Sequence, residues 1–504
     1  MEKTTKKTLL IYPNYPDTFW SFKYALGFIS KKAMHPPLGL ITVAAMLPDN
    51  WKKKLVDMNV SSLSEADLLW ADYVFISAMA IQKKSAQKII QKCHELGKKV
   101  IAGGPLFTAN HESFKNVDHL ILNEAEITLT SFLKDLEKGC PKKIYRTEKF
   151  SNIEQAPLPL YELLDMKKYV SISIQYSRGC PFNCEFCDIT TLFGRGVRTK
   201  NKRQVMAELN KLHSLGWRGS IFFVDDNFIG NKIKLKKEIL PALIKWQKEK
   251  RQPFTFSTEA SINLADDDEL MEMMAQAGFI NVFIGIETPN EESLVECGKF
   301  QNKNRSLTES IRKIQLSGLE VTGGFIVGFD SDAPSIFQRQ IKFIQESRII
   351  TAMVGLLNAP RGSRLYKRML NEGRLIKNVT GDNTDFSTNL IPKMGLDKLK
   401  NGYQKVIEGI YSPGPYYKRV KNFLKECNPK RKRNFHMHFG YIKYHFGYAG
   451  ALFKAIVILG LKDKARLHFW KLLFWSIFKG PKTFILALSY SVYGFHFRKI
   501  FNLK

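Results

Sequence analysis

Short apolar runs of strand length alternate with helix-length amphipathic segments along most of this 504-residue chain. This alternation predicts parallel sheets, because a parallel connection needs a crossover of about helix length. In the first part of the chain, the predicted strands span 8–14, 53–59, 73–80, 98–105 and 119–124, with helices at 39–48, 83–97 and 126–139. This series predicts an α/β domain over residues 1–150, with a doubly wound, Rossmann-like sheet that binds ligands at the carboxyl ends of its strands.

A second alternating series follows a linker at residues 156–165, whose prolines mark a domain boundary. Its predicted strands span 171–177, 220–226, 254–260, 281–287, 321–329 and 352–358, with helices such as 202–216 and 266–278 between them. Six β/α units in about two hundred residues predict a partial (β/α)6 barrel, assigned to residues 165–375, with site residues after the strand ends. Residues 376–504 are assigned to a basic, aromatic and helical C-terminal extension.

Cys180, Cys184 and Cys187 lie in the loop after the first strand of the second series. Seven cysteines in a chain of this length form too sparse and odd a set for a disulfide framework. A structural zinc site normally takes four protein ligands, and no second C-x2-C motif occurs here. Three thiolates from one loop can bind three irons of a [4Fe–4S] cluster and leave the fourth iron open. Chance and zinc remain the alternatives, and the other cysteines are scattered at positions 93, 140, 297 and 427.

The pattern C-x3-C-x2-C after the first strand of a β/α barrel, with the aromatic Phe186 before the last cysteine, resembles the radical S-adenosylmethionine superfamily. The resemblance implies that the three cysteines ligate a [4Fe–4S] cluster whose open iron binds the amino and carboxylate groups of S-adenosylmethionine. One electron from the cluster would then cleave a C–S bond and release the 5′-deoxyadenosyl radical. The cofactors carry this chemistry, and the protein supplies position and the exclusion of water.

The resemblance extends to polar residues and glycines at the following strand ends. It implies the S-adenosylmethionine-binding residues Phe186, Asp225, Asp226, Asn227, Ser257, Glu259, Gly285, Glu287 and Gly328. The family's usual second-strand motif contains Gly-Gly-Glu, whereas this chain has Asp225, Asp226 and Asn227. The resemblance therefore does not decide which carboxylate contacts the methionine amino group. Each such residue also has a simpler interpretation as the cap of the next helix. No catalytic side chain is assigned.

The first domain resembles the cobalamin-binding sheet found in part of this superfamily. The resemblance implies cobalamin at Ser77, Gly103, Gly104 and Pro105, where glycines let a flat corrin approach the backbone. No D-x-H-x-x-G motif is found, which predicts that no protein histidine ligates the cobalt. An inert or nucleotide-binding domain is the alternative, although residues 1–145 contain no G-x-G-x-x-G.

Residues 13–22, 285–302 and 323–345 are similar to the cobalamin-dependent radical enzymes related to the hopanoid ring methylase, and the likeness runs along most of 8–420. It implies a methyltransferase that acts on an unactivated carbon of a membrane lipid and takes electrons from a donor of flavodoxin or ferredoxin type. A radical cyclase or rearrangement enzyme is the first alternative. An RNA methylthiotransferase is the second, but it would carry further N-terminal cysteines. The intact cysteine trio argues against a cobalamin sensor without chemistry.

The net charge of +30 predicts an anionic partner. Residues 428–504 hold 15 Lys and Arg, one acid and 18 of the 61 aromatic residues. Helical spacing puts Trp470, Phe474 and Phe478 on one face, as in a helix that lies in a membrane interface. No apolar run is long enough to span a membrane, and the N-terminal run is too short for a signal peptide. We therefore expect a cytoplasmic enzyme, peripheral at the inner membrane face, with no nucleic acid among its partners. A helical cap on the barrel and an RNA footprint remain the alternatives for the extension.

Overall fold

The chain forms two six-stranded sheets and a two-stranded hairpin in the computed structural model, which describes residues 5–376, 380–382, 384–426 and 450–503. The strands are β1 Lys7–Tyr12, β2 Lys52–Asp57, β3 Tyr73–Ser77, β4 Lys99–Gly103, β5 His119–Ile121, β6 Ile144–Tyr145, β7 Ser171–Ile174, β8 Ser177–Arg178, β9 Arg198–Thr199, β10 Gly219–Phe223, β11 Phe254–Ala260, β12 Phe279–Glu287, β13 Glu320–Val327 and β14 Ala352–Leu356.

Helices connect most of the strands and occur in the described part of the C-terminal extension. They are α1 Lys23–Leu26, α2 Leu38–Met46, α3 Glu65–Trp70, α4 Lys83–Glu95, α5 Pro105–Asn110, α6 Ala125–Glu137, α7 Ile189–Phe193, α8 Lys202–Ser214, α9 Lys232–Lys234, α10 Leu240–Glu249, α11 Asp268–Ala277, α12 Glu291–Glu296, α13 Leu307–Leu316, α14 Ile336–Glu346, α15 Arg364–Asn371, α16 Leu396–Tyr411, α17 Pro413–Glu426, α18 Arg466–Ile477 and α19 Pro481–Ile500. A π-helical segment, Ile456–Lys462, precedes α18.

The first sheet has the strand order β2-β1-β3-β4-β5-β6, and every neighbouring pair is parallel. The order reverses between β1 and β3, which confirms the predicted doubly wound topology. Two apolar clusters form its core, one around Leu9, Val74 and Ile90 and the other around Leu10 and Phe132. Strand β6 was not predicted, because two residues carry no periodic signal.

The second sheet has the order β14-β13-β12-β11-β10-β7, so its strands follow one another as in an open barrel. All six predicted strands are present, which confirms the partial (β/α)6 barrel. Several strand ends differ by a few residues from the predicted ones, and the predicted strand 171–177 leaves the sheet after Ile174. Ser177 and Arg178 pair instead with Arg198 and Thr199 in the antiparallel β8–β9 hairpin.

The chain divides into two compact units. The first unit contains Met1–Pro16, His35–Thr255 and Ala359–Asp382, and the second contains Asp17–Met34, Phe256–Asn358 and Asn383–Lys504. The first unit therefore holds the first sheet together with the cysteine loop. The domain limits expected from the sequence, 1–150, 165–375 and 376–504, stay a prediction.

The helices of the C-terminal extension pack against the start of strand β14 within the second unit. Tyr411 of α16 donates its hydroxyl to the carbonyl of Ala352 at 2.7 Å. Helix α19 packs on the segment 17–34, where Phe497 stacks on Phe19 with ring centroids 4.5 Å apart. Part of the extension is thus an internal cap, one of the two alternatives to membrane contact. Within the described residues, no helix is long and apolar enough to cross a membrane.

Candidate functional site

The cysteine loop is enclosed by the β8–β9 hairpin in the first unit. Cys180, Cys184 and Cys187 are free of disulfides, and Cys184 is buried while the other two are half-buried. Gly179 opens the loop with a φ of +90°. A Cβ at this position would lie 2.8 Å from the carbonyl oxygen of Gly196, so only glycine fits this turn without displacing backbone.

Two carboxylates that follow strand β10 hold the entrance of this loop. Asp225 accepts hydrogen bonds from the backbone of Ser177, from its hydroxyl at 2.6 Å and from the backbone of Tyr176 at 3.2 Å. Asp226 accepts a hydrogen bond from the backbone N–H of Gly179 at 2.8 Å. Burial raises the pKa of Asp225 to about 7 and that of Asp226 to about 6, although these hydrogen bonds act in the opposite direction. The two side chains therefore position the loop that carries the cysteines.

This arrangement bears on the roles predicted for residues 225–227. Both aspartates were expected to contact S-adenosylmethionine, and both carboxylates also hydrogen-bond to the loop backbone. Asn227 is buried, and its side chain makes no capping hydrogen bond to the helical turn that follows, so the simple helix-cap interpretation does not apply to it. Contact of these three residues with S-adenosylmethionine stays a prediction.

Two arginines of the β8–β9 hairpin form bidentate ion pairs with two glutamates at the start of helix α6, which packs on the first sheet. Arg178 donates to both carboxylate oxygens of Glu126, at 2.8 and 3.1 Å. Arg198 donates to both oxygens of Glu124, at 2.7 and 2.8 Å, and also to the carbonyls of Ser151 and Phe193. Burial acts to raise the pKa of Glu124, but the hydrogen bonds from Arg198 and Ser151 outweigh it and lower the pKa. Bidentate pairs of this kind fix orientation as well as distance.

A third bidentate ion pair involves a residue within the cysteine motif. Glu185, which lies between the second and third cysteines, accepts two hydrogen bonds from Arg368 of helix α15, at 2.8 and 2.9 Å. The carbonyl of Glu185 accepts the backbone N–H of Leu365 at 2.9 Å, and Arg364 donates to the carbonyl of Asn183 at 3.1 Å. Helix α15 therefore braces the loop from residues nearly two hundred positions away in sequence.

The donor set of the loop fits a cubane cluster better than a single metal ion. Among the described residues, no group of three His, Cys, Asp or Glu side chains could hold one metal ion. A cubane binds each thiolate at a different iron, so its three ligands need not converge on one point. Three cysteine thiols outside any disulfide, on a tightly held loop, meet that requirement. Phe186, the residue before Cys187, is half-buried.

The predicted cobalamin residues lie together at the carboxyl edge of the first sheet. Ser77 and Gly103 are neighbours in the β3–β4 register, and Gly104 and Pro105 begin helix α5. A Cβ on Gly103 would lie 2.7 Å from the carbonyl of Ile121, and one on Gly104 would lie 2.7 Å from the Ser77 hydroxyl. Both glycines are therefore already required by the neighbouring strands, whether or not a corrin approaches.

Asn123 follows strand β5 at the same edge and was not predicted. Its φ is +65°, and its buried side-chain oxygen has no hydrogen-bond partner among the described residues. An unpartnered buried acceptor usually indicates a missing ligand or water. An amide donor on the rim of a corrin ring is one kind of group that would satisfy this oxygen. Contact of all these residues with cobalamin and the absence of a histidine ligand stay predictions.

The remaining predicted S-adenosylmethionine residues belong to the second unit. Ser257 and Glu259 occupy the half-buried positions of β11. Glu287 has a φ of +67° and forms an ion pair with Lys299 at 2.7 Å, and a Cβ on Gly285 would strike both of these side chains. Gly328 has a φ of +106°, and its N–H donates to Asp332 at 2.9 Å. Gly328 thus has a backbone reason to be glycine. The predicted binding roles of Gly285 and Gly328 are untested.

Three families match the chain in sequence order. The B12 binding domain matches residues 27–133, the radical SAM superfamily matches 174–343, and a domain of unknown function, DUF4070, matches 363–503. The first match includes strands β2 to β5 of the first sheet, and the second runs from the end of β7 through β13 of the barrel. The third covers most of the C-terminal extension.

Two relatives are similar along nearly their whole length. An uncharacterized methyltransferase of Synechocystis sp. is 41% identical over 97% of this chain and 91% of the relative. The hopanoid C-2 methylase of Rhodopseudomonas palustris is 32% identical over 95% of this chain and 90% of the relative. The bacteriochlorophyllide d C-12(1)-methyltransferase of Chlorobaculum tepidum is more distant, at 24% identity over 83% of this chain and 90% of its own.

Solved structures with the same fold include two cobalamin-dependent radical enzymes. OxsB, with aqua-cobalamin and S-adenosylmethionine bound, has a TM-score of 0.64 at 17% identity and covers 94% of this chain and 75% of its own. The methyltransferase TsrM of Kitasatospora setae, with cobalamin and a [4Fe-4S] cluster bound, has a TM-score of 0.58 at 12% identity and covers 75% of this chain and 76% of its own. At these identities the likeness is one of fold.

Proposed function

The chain belongs to the cobalamin-dependent radical S-adenosylmethionine methyltransferases, and on that premise we propose that it adds a methyl group to an unactivated carbon of a hopanoid-like membrane lipid. The three cofactors predicted from the sequence, a [4Fe–4S] cluster, S-adenosylmethionine and cobalamin, are confirmed by these family matches. When bound, they supply the one-electron cleavage that creates a hydrogen-abstracting radical, and the methyl group that replaces the hydrogen.

The chain's own residues hold and orient these groups. Cys180, Cys184 and Cys187 would ligate the cluster. The carboxylates of Asp225 and Asp226 fix the backbone that leads into the motif. The bidentate arginine–glutamate ion pairs connect the same loop to α6 and α15. A loop with so many fixed points presents its thiolates with little reorganisation, which is what a site for a reactive radical requires.

One observation carries the proposed substrate class. The similarity to the hopanoid C-2 methylase runs through 95% of this chain, and so extends beyond the two cofactor-binding regions into the C-terminal extension. The bacteriochlorophyllide methyltransferase is named for a tetrapyrrole and has lower identity. This difference favours a polycyclic lipid. We further propose an electron donor of flavodoxin or ferredoxin type and a location at the inner membrane face, where such a lipid is dissolved.

Lipid profiling tests the proposal. A hopanoid-producing host without a ring methylase of its own would express the wild-type chain or the matched Cys184→Ala variant. We expect polycyclic lipids one methylene heavier with the wild type and none with the variant. Methylated tetrapyrroles in place of methylated lipids would contradict the substrate class.

Product counting in vitro separates methyl transfer from the radical cyclase or rearrangement alternative. Methyl transfer by this chemistry releases both S-adenosylhomocysteine and 5′-deoxyadenosine, whereas a cyclase releases no S-adenosylhomocysteine. Anaerobic turnover that yields 5′-deoxyadenosine alone, with substrate consumed, would therefore contradict the proposal. The triple alanine variant of the cysteine motif should retain almost none of the about four irons expected per chain.

A further inference from the structure

Helix α18 presents a row of large apolar side chains to the outside of the second unit. Leu467, Phe474, Ile477 and Phe478 are 69%, 57%, 52% and 86% exposed, and Lys471 is exposed among them. These positions are spaced i, i+4, i+7, i+10 and i+11, so they share one side of a helix. We call these five residues the α18 face. Exposed apolar side chains that lie together mark interaction surfaces more often than chance exposure does.

The other side of α18 is fixed to the protein, so the face is not a mispacked core. Phe469, Leu472 and Leu473 are buried. The expectation that Trp470 lies outward with Phe474 and Phe478 holds for the two phenylalanines. Trp470 is half-buried, and its indole N–H donates to the carbonyl of Gly460 at 3.0 Å. Trp475 is half-buried and packs under Lys421 of α17, with the ammonium 5.3 Å from the ring centroid.

The positive charge around the α18 face favours a negatively charged partner. Exposed bases on the same stretch of chain are Lys462, Lys464, Arg466, Lys471, Lys479 and Lys482. Asp463 is the sole acid in the sequence between residues 450 and 503, and it is paired with Arg498. A second copy of the chain would bring equal positive charge to this face. The segment 427–449 would do the same, since it contains five bases and no acid.

We propose that the α18 face docks on the surface of an anionic lipid bilayer, with the helix parallel to the membrane plane. Lys and Arg side chains are attracted to a negatively charged leaflet where they face it. The apolar side chains would enter the boundary between headgroups and acyl chains. The helix has 12 residues and is about 18 Å long, shorter than the roughly 30 Å of hydrocarbon that a spanning helix must cross.

A bilayer suits this face better than the other anionic partner, a nucleic acid. Single-stranded nucleic acids are held by aromatic rings that stack on bases. Leu467 and Ile477 cannot stack, yet they make up half of the apolar residues of the face. Aliphatic and aromatic side chains together match the acyl boundary of a membrane.

Vesicle flotation of the full-length holoenzyme tests the inference without any substrate. We expect binding to vesicles of equal parts phosphatidylglycerol and phosphatidylcholine, and weak binding to phosphatidylcholine alone. Raising the salt concentration should weaken binding without abolishing it, because salt screens the charges but leaves apolar insertion intact. Since no turnover is measured, failure here leaves the proposed methyl transfer standing, and failure of the methyl transfer leaves this result standing.

Matched variants locate the surface. Phe474→Ser combined with Phe478→Ser should lower the vesicle partition coefficient at least roughly tenfold. Phe300→Ser, which removes an equally exposed phenylalanine elsewhere in the second unit, should change it by less than about twofold. Lys471→Glu should weaken binding more than Lys405→Glu, which changes the net charge equally on the exposed side of α16.

Three results would overturn the inference. The first is the absence of binding to anionic vesicles at low salt. The second is a dimer in solution that the Phe474 and Phe478 double variant dissociates, which would make the face a contact between copies. The third is RNA binding that this double variant abolishes while vesicle binding is unchanged. Circular dichroism and cofactor content of each variant show whether it has folded.

Discussion

The Asp226 carboxylate accepts the backbone N–H of Gly179 at 2.8 Å, one residue before the first cysteine of the motif. The end of strand β10 thereby holds the entrance of the cysteine loop. This hydrogen bond joins residues 47 positions apart and orders the loop through its backbone. The carboxylate is thus a positioning group for the cluster ligands.

Asp226→Ala should loosen the cluster. Loss of the acceptor leaves a half-buried N–H unpaired, at a cost of about 1–3 kcal/mol. Iron should leave the reconstituted Asp226→Ala protein faster than the wild type when a chelator is added. The rate of iron release from Asp226→Asn, whose amide oxygen can still accept, should lie between those of the wild type and Asp226→Ala. Unchanged iron release together with weaker S-adenosylmethionine binding would instead support the direct contact predicted from the sequence.

The pair Arg198 and Glu124 should show strong coupling in a double-mutant cycle. Glu124 is almost fully buried, so removal of Arg198 leaves a buried carboxylate without its bidentate partner. Breaking a buried pair from one side costs about 3–5 kcal/mol, whereas removal of both partners is milder. Denaturant unfolding should therefore show that Arg198→Ala is more destabilising alone than with Glu124→Ala. The exposed pair Lys23 and Asp17 provides the control, with an expected coupling below about 1 kcal/mol. Additive changes in the free energy of unfolding for the two substitutions would contradict a stabilising ion pair between Arg198 and Glu124.

Arg368→Ala should disturb the cluster from the side of helix α15. The bidentate pair with Glu185 fixes the backbone between Cys184 and Cys187, so its loss should raise the rate of cluster loss in air and broaden the electron paramagnetic resonance signal of the reduced cluster. Lys367→Ala, on the exposed side of the same helix, should leave both unchanged. Equal effects from the two variants would mean that α15 acts only through general stability.

The fold was predictable because its signals are local. Apolar runs between turn residues located every strand of the barrel, and the three cysteines follow one another closely enough to be recognised by spacing. Strand β7 shows where this reasoning ends. It was predicted to reach Ser177 but stops at Ile174, because Asp225 takes the N–H groups of Tyr176 and Ser177. A side chain 48 residues downstream leaves no trace in a local pattern.

The charged residues around the site were missed for the same reason. Arg198 and Glu124 are 74 positions apart, and Arg368 and Glu185 are 183 apart. Each is an ordinary charged residue in its own segment. The one available signal was the position of Arg178 and Glu185 directly beside or within the cysteine motif, where a charge must find a partner if the loop is buried. Gly103 and Gly104 show the opposite case, because the atoms of neighbouring strands explain these glycines as well as a ligand would.

His496 should make the second unit less stable in acid. Its imidazole is buried in α19, and its ring N–H donates to the carbonyl of Phe19 at 3.0 Å. Burial lowers the pKa of His496 to about 4, although the Phe19 carbonyl and nearby Asp17 act in the opposite direction. A histidine with a lowered folded-state pKa stays neutral in the folded protein and binds a proton on unfolding. Its stabilising contribution is therefore complete above about pH 6.5 and is lost as the pH falls towards 4.

From these values, the free energy of unfolding should be about 2 kcal/mol lower at pH 5 than at pH 8 because of this group. His496→Gln keeps an N–H donor for Phe19 but does not titrate, so it should be less sensitive to acid by about that amount. His468→Gln, which removes an exposed imidazole of α18, serves as the matched control. Denaturant midpoints at the two pH values measure the difference. If His496→Gln and the wild type lose stability in parallel between pH 8 and pH 5, another group controls the acid response and the contact between α19 and Phe19 does not depend on a neutral imidazole.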